Sequence, residues 1–139
     1  DELFECLTLV QTGKSAMIPM VLLEHAEGTY WKHWDNYVRR SLLDDHMISP
    51  EDLNLFHITR DPHDAVEHVL RFYRNYHSSR YYRDDLIIRL KNPLQEGDID
   101  RLNTEFAPII KEGAIVQRGP YEIEEEHLEL PRLAFTHSR

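Results

Sequence analysis

Two carboxylates open the chain. Glu2 and Glu5 fall one turn apart at the head of a segment whose apolar residues Leu3, Cys6, Leu7 and Val10 recur at helical spacing. By itself such a pair is a solvated pair on a helix. It gains chemistry when a phosphate-binding loop runs into that helix. The first N–H groups and the helix dipole then hold a phosphate, and a carboxylate nearby serves the sugar of a nucleotide. No Ser, Thr or Asn cap and no strand stands ahead of this helix. The segment therefore reads as the continuation of something upstream of Asp1.

Other chemical residues form weaker patterns. The chain has nine histidines, but His63 and His68 are five apart, and there is no HExxH and no paired cysteine, so no metal is expected. Tyr30, Trp31, Trp34 and Tyr37 would suit a base-stacking platform, yet at helical spacing the preferred reading is core plus a helix–helix dimer face. Arg71 to Lys91 holds six basic and two acidic residues, read as a solvated face balanced by the acidic run from Glu122 to Glu129. Cys6 reads as ordinary packing. No Gly-rich phosphate loop, Ser-His-Asp order or Walker motif occurs.

The elements that would position these residues alternate. Helix to about residue 14, closed by Gly13; strand Ile18–Leu23, buried on both faces; helix over 30–46, with Tyr30, Trp34, Tyr37, Val38 and Leu42 inward; a turn capped by Ser49; strand Phe56–Thr59; and a helix opened by Asp61-Pro62 and running to about Tyr76. This order predicts adjacent parallel strands with helical crossovers, the C-terminal part of a Rossmann-like three-layer α/β domain. Two strands alone do not make such a sheet, so further strands are expected from ahead of Asp1 or from a partner. Beyond residue 80 the pattern changes to strands near 85–90, 114–117 and 130–136, with a helix at 98–110 that Pro108 kinks or ends and Gly113 closes. Its stripe of Ile99, Leu102, Phe106 and Ile109 is expected to cover the apolar face of Leu86, Ile88 and Leu90. Glu122, Glu124, Glu125 and Glu126 are expected in a solvated loop. The domain expectation is thus 1–80 for the nucleotide-binding half and 81–139 for a small α+β appendage.

Composition narrows the function. The net charge of −9, from 16 basic and 25 acidic residues, disfavours nucleic acid and anionic membranes as partners. No apolar run approaches the roughly 20 residues that span a bilayer, and no segment resembles a signal peptide. The single Cys6 has no intrachain partner, and a cytoplasmic setting is expected.

The opening DELFECLTLVQTGK, then IPMVLL, YWKHWDNYVRRSLLDDHMIS and the helix after DPHDA together resemble the second half of the Lonely Guy family, often labelled lysine decarboxylase-like. Its signature is PGGxGTxxE, of which Asp1 and Glu2 match the last two positions. Gln11 and Gly13 match a Gln-x-Gly after the helix, and Ile48-Ser49 a segment before the last strand. The resemblance covers about residues 1–77; residues 80–139 look like the extension of longer members. It implies a nucleotide N-glycosidase that cleaves a nucleoside 5'-monophosphate into free base and ribose 5-phosphate without a cofactor. Glu2 would be catalytic, and Asp1 and Gln11 would contact substrate. The fragment alone, lacking the glycine loop, is expected to be inactive. A homodimer is expected, with some of Leu7, Val10, Trp31 and Trp34 at its face. The competing class is a non-catalytic Rossmann-like protein that binds or senses a nucleotide.

Overall fold

The computed structural model describes residues 1–137, and the chain divides into two compact units, Asp1–Phe72 and the residues from Tyr73 onward. In the first unit, α1 (Glu2–Gln11) ends where Gly13 turns to φ 68°, the left-handed conformation that glycine adopts without strain, and the Lys14 N–H closes on the Leu9 carbonyl at 2.9 Å. Leu3 and Leu7 are half-buried and Val10 is buried. Cys6, expected in the packed stripe, is exposed, because it lies about 100° around the helix from Leu7.

β1 (Met20–Leu23) starts after Pro19, which has no N–H for a ladder, rather than at Ile18. It pairs in parallel with β2 (Phe56–Thr59), Met20 opposite Phe56 through Leu23 opposite Thr59. The parallel pair is as expected; among the described residues this sheet has two strands, and a three-layer Rossmann-like sheet is not shown. Nor is β1 buried throughout: Leu22 is buried and Leu23 is 48% exposed. α2 (Tyr30–Tyr37) runs on as a π-helical turn, Val38–Leu43, so the single helix expected over 30–46 has two geometries. Tyr30 and Tyr37, expected inward, are exposed, whereas Trp31 and Trp34 are half-buried. Ser49 opens a 3-10 turn (Pro50–Leu55), with its N–H and hydroxyl both on the Asp52 carboxylate at 2.8 and 3.1 Å. Asp61 caps α3 (Pro62–Phe72) through the His63 N–H at 2.9 Å.

α3 stops short of Tyr76 because a strand missing from the sequence reading begins there. β3 (Tyr76–Tyr82), β4 (Asp85–Leu90), β6 (Arg132–His137) and β5 (Ile110–Arg118) form an antiparallel sheet in the order β3-β4-β6-β5. β3 runs through residues 80 and 81, where a domain boundary was expected. One face carries a core of Leu90, Ile115, Leu133 and Phe135, packed by Leu86, Ile88, Leu94, Leu102 and Ile110. α4 (Glu96–Glu105) is tied to β5 by Asn103, whose amide bonds the Ile115 carbonyl and N–H at 2.9 and 2.7 Å. Pro108 does end this helix, in a 3-10 turn. As a result Phe106 and Ile109 are exposed and do not join the cover, and Gly113 lies inside β5 rather than at a helix end.

The opposite face of that sheet is also covered. Strand alternation and register place Asp85, Ile87 and Arg89 beside Thr136, Ala134 and Arg132 there. Segment 119–131 lies against this face through Glu124. The Glu124 carboxylate takes the Arg89 Nη2 at 2.6 Å and the Arg132 Nε at 2.8 Å, and all three residues are buried. Glu124 is therefore not in a solvated loop, nor is Arg89 part of a solvated face. Two guanidiniums supply the charge that lets a carboxylate leave water.

Candidate functional site

In a parallel strand–helix alternation, strand ends and helix heads gather at one edge of the sheet, where sites in α/β proteins form. In the first unit, β1 delivers Glu24 to that edge, β2 delivers Arg60, and the heads of α2 and α3 bring Thr29 and Asp61. α1 joins the unit through Phe4, whose ring lies 5.5 Å from that of Trp34 midway along α2; Trp34 in turn lies 4.9 Å from Phe56, the first residue of β2.

The loop between β1 and α2 is clamped there. The Trp31 backbone N–H donates to Glu24 Oε2 at 2.6 Å and the His25 N–H to Oε1 at 3.2 Å, so Glu24 caps α2 from the end of the strand. Gly28 passes so close that a Cβ there would stand 2.2 Å from Glu24 Oε1. Arg60 Nη2 holds the Gly28 carbonyl at 2.7 Å, and the Trp31 indole donates to the Leu23 carbonyl at 3.2 Å. None of Glu24, Gly28 and Arg60 was singled out in the sequence. The one available signal was Glu24 and Gly28 following a strand and preceding a helix.

Glu2, at the head of α1, has its carboxylate fully exposed, 3.6 Å from the Asp1 ammonium. Its own backbone N–H, then that ammonium, hold the carboxyl below the ordinary carboxylate range, so it is ionised at neutral pH. Asp1 and Glu2 are thus side by side. Gln11 is not with them: nine residues on, it lies about 13 Å down the helix. There it lines a small apolar cavity of about 80 Å³ with Leu7, Leu42, Ile48 and others.

A second polar cluster joins β2 to α3. His57 Nε2 and Asp64 Oδ2 are 2.7 Å apart, and the His68 ring stacks on His57 at 4.5 Å with planes 3° apart. Stacked rings aim their nitrogens in parallel rather than at one point. Among the described residues no group of three or more His, Cys, Asp or Glu converges as a metal site. Sequence spacing hid this cluster because His57 sits on the preceding strand.

The first unit thus has a parallel βα arrangement, an open carboxylate at the head of α1, and a clamped loop at the ends of its strands. Residues 1–69 match the family described as possible lysine decarboxylase, so this part of the chain is similar to that family. The match ends within α3, so the antiparallel sheet lies outside it. No curated protein matches the chain. Among the described residues no helix is long and apolar enough to cross a membrane.

Proposed function

We propose that the chain is part of a nucleotide N-glycosidase of the Lonely Guy type, hydrolysing a nucleoside 5'-monophosphate to free base and ribose 5-phosphate. The observation that carries this reading is Glu2, an exposed and ionised carboxylate at the head of α1, within the segment similar to the possible lysine decarboxylase family. Breaking the N-glycosidic bond leaves the electron pair on the base and positive charge on the ribose. Water then adds hydroxide to that carbon, and its proton goes to the base or to solvent. A carboxylate held below its ordinary range is a weak base but a good fixed anion, so Glu2 suits stabilising the cationic sugar better than drawing a proton from water. Asp1 lies at its side. Gln11, a helix length away, would reach substrate only if the bound nucleotide ran down α1.

The test uses a chain that carries the family's glycine loop ahead of Asp1, with AMP as substrate and free adenine as readout. Adenine release that Glu2→Gln abolishes, with the fold retained, is the expected result. Tight AMP binding without release in the unsubstituted protein would overturn it and favour a nucleotide-sensing protein.

Homodimer formation belongs to the same proposal. Val10 is buried and Leu7, Trp31 and Trp34 are half-buried within the first unit, so the outward apolar groups nearby are Leu9 and Tyr30, 45% and 68% exposed. In light scattering a Leu9→Glu variant is expected to shift a dimer toward monomer, and a monomeric unsubstituted protein at micromolar concentration would remove the dimer from the proposal.

A further inference from the structure

The second unit holds a cleft of about 590 Å³ whose lining includes Tyr82, Arg83, Asp85, Arg118, Tyr121 and Glu122. That volume lies in the range of small-molecule sites. Its two guanidiniums are placed by aromatic rings. Arg118 lies over the Tyr121 ring at 3.7 Å and Arg83 over the Tyr82 ring at 5.2 Å, and the two rings are 5.3 Å apart. Neither arginine forms an ion pair with a carboxylate of the described residues. Arg118 Nε donates to the neighbouring Gly119 carbonyl at 3.3 Å. The acids of the lining are Asp85, whose oxygens accept the Tyr121 and Thr136 hydroxyls, each at 2.9 Å, and the exposed Glu122; both keep their charge, and the guanidinium donors stay open for a ligand.

Arg83 also sits where the backbone disfavours it. It is the first residue of the two-residue turn between β3 and β4, with φ 55°, a position that suits Gly or Asn. A long cationic side chain held in that conformation at the rim of a cleft is the kind of local strain that accompanies a binding role.

We propose that this cleft binds a phosphorylated small molecule, whose phosphate oxygens are gripped by the guanidinium forks of Arg83 and Arg118. A guanidinium presents two parallel N–H donors matched to a phosphate edge, and stacking on a tyrosine fixes the plane of that fork before the ligand arrives. The site lies wholly in the second unit and stands independently of the role given to Glu2.

The experiment is calorimetric titration of the full chain with inorganic pyrophosphate, with succinate as a dicarboxylate comparison. Saturable one-site binding of pyrophosphate is expected, tighter than that of succinate. Arg118→Gln and Arg83→Gly are each expected to weaken it about tenfold, the loss of one charge-assisted grip. Arg83→Gly removes the guanidinium while relieving the positive φ, so it keeps or raises the thermal midpoint and decides the matter even if Arg118→Gln fails to fold. Absence of saturable binding, equal or tighter binding of succinate, or unchanged pyrophosphate affinity in Arg83→Gly would each overturn the proposal.

Discussion

Arg132 and Glu124 meet in the interior of the second unit: Nε donates to Oε2 at 2.8 Å, and neither side chain retains solvent exposure. Burial alone would raise the Glu124 carboxyl. The Tyr121 N–H at 3.0 Å and the guanidiniums of Arg132 and Arg89 overcome it and bring the carboxyl down to about 2. Since this lies below the ordinary value of 4.5, the unfolded chain binds the extra proton between the two values. The stability Glu124 contributes is therefore complete above 4.5 and is lost as pH falls toward 2, on the order of 3 kcal/mol in all. Glu124→Ala, which strands two buried guanidiniums, is expected to cost about 3–5 kcal/mol in urea unfolding at neutral pH and to flatten the acid limb. An unchanged acid limb would mean that the carboxylate is not the group that titrates.

The clamp on the first unit makes a separate test. Gly28→Ala would place a methyl 2.2 Å from Glu24 Oε1 and push that carboxylate off the Trp31 N–H. The obstacle is the end of a flexible side chain, so the expected cost is that of a lost cap, about 1 kcal/mol. In a Glu24→Ala background the same substitution should cost almost nothing. Thermal denaturation of the double-mutant cycle checks this, and additive costs would show that Gly28 is needed for another reason.

These two relationships mark where the sequence was legible and where it was not. Phe56–Thr59 alternates Phe and Ile with His and Thr, and Asp85–Leu90 is built around Leu86, Ile87 and Ile88; the strands fall on those residues. Asp61-Pro62 and Ser49 carry their capping chemistry locally, and both act as caps. β3 was missed because Tyr76–Tyr82 is a run of Tyr, Ser, His and Arg, whose fitness for a strand comes from β4 beside it. Glu124 sits in an acidic run, and its burial depends on β4 and β6 setting Arg89 opposite Arg132. Arg60 reaches Gly28 only through the parallel crossover. Local signals thus gave the elements, and pairings distant in sequence gave the clamps.

The histidine stack supplies a pH-dependent handle on the first unit. Burial, then the neighbouring His57 and Arg71, lower the His68 pKa below the ordinary value of 6.5, and Asp64 opposes them. A histidine lowered in the folded state takes up its proton more readily when unfolded, so its contribution is lost as pH falls below 6.5. Proton NMR titration is expected to place His68 below that value. His57→Gln removes the second cause, and with the stacked ring part of the burial, and should bring His68 part of the way back. No movement in that variant would show that the stack does not set the His68 pKa.

The last expectation concerns the acid limb of base release, which separates two roles for Glu2. Its carboxyl is held low first by its own backbone N–H at the head of α1 and then by the Asp1 ammonium. The helix N–H remains in any longer chain, whereas the ammonium does not, so the lowering should persist in reduced form. If Glu2 acts as a fixed anion beside the ribose, kcat/KM is flat from neutral pH down to below 4.5 and falls only when the carboxylate protonates. Glu2→Gln should then lower turnover by about a hundredfold or more with that acid limb removed. A limb near neutral pH would instead require a raised carboxyl acting as a proton donor, which the exposed head of α1 does not provide, and the catalytic group would have to be sought elsewhere.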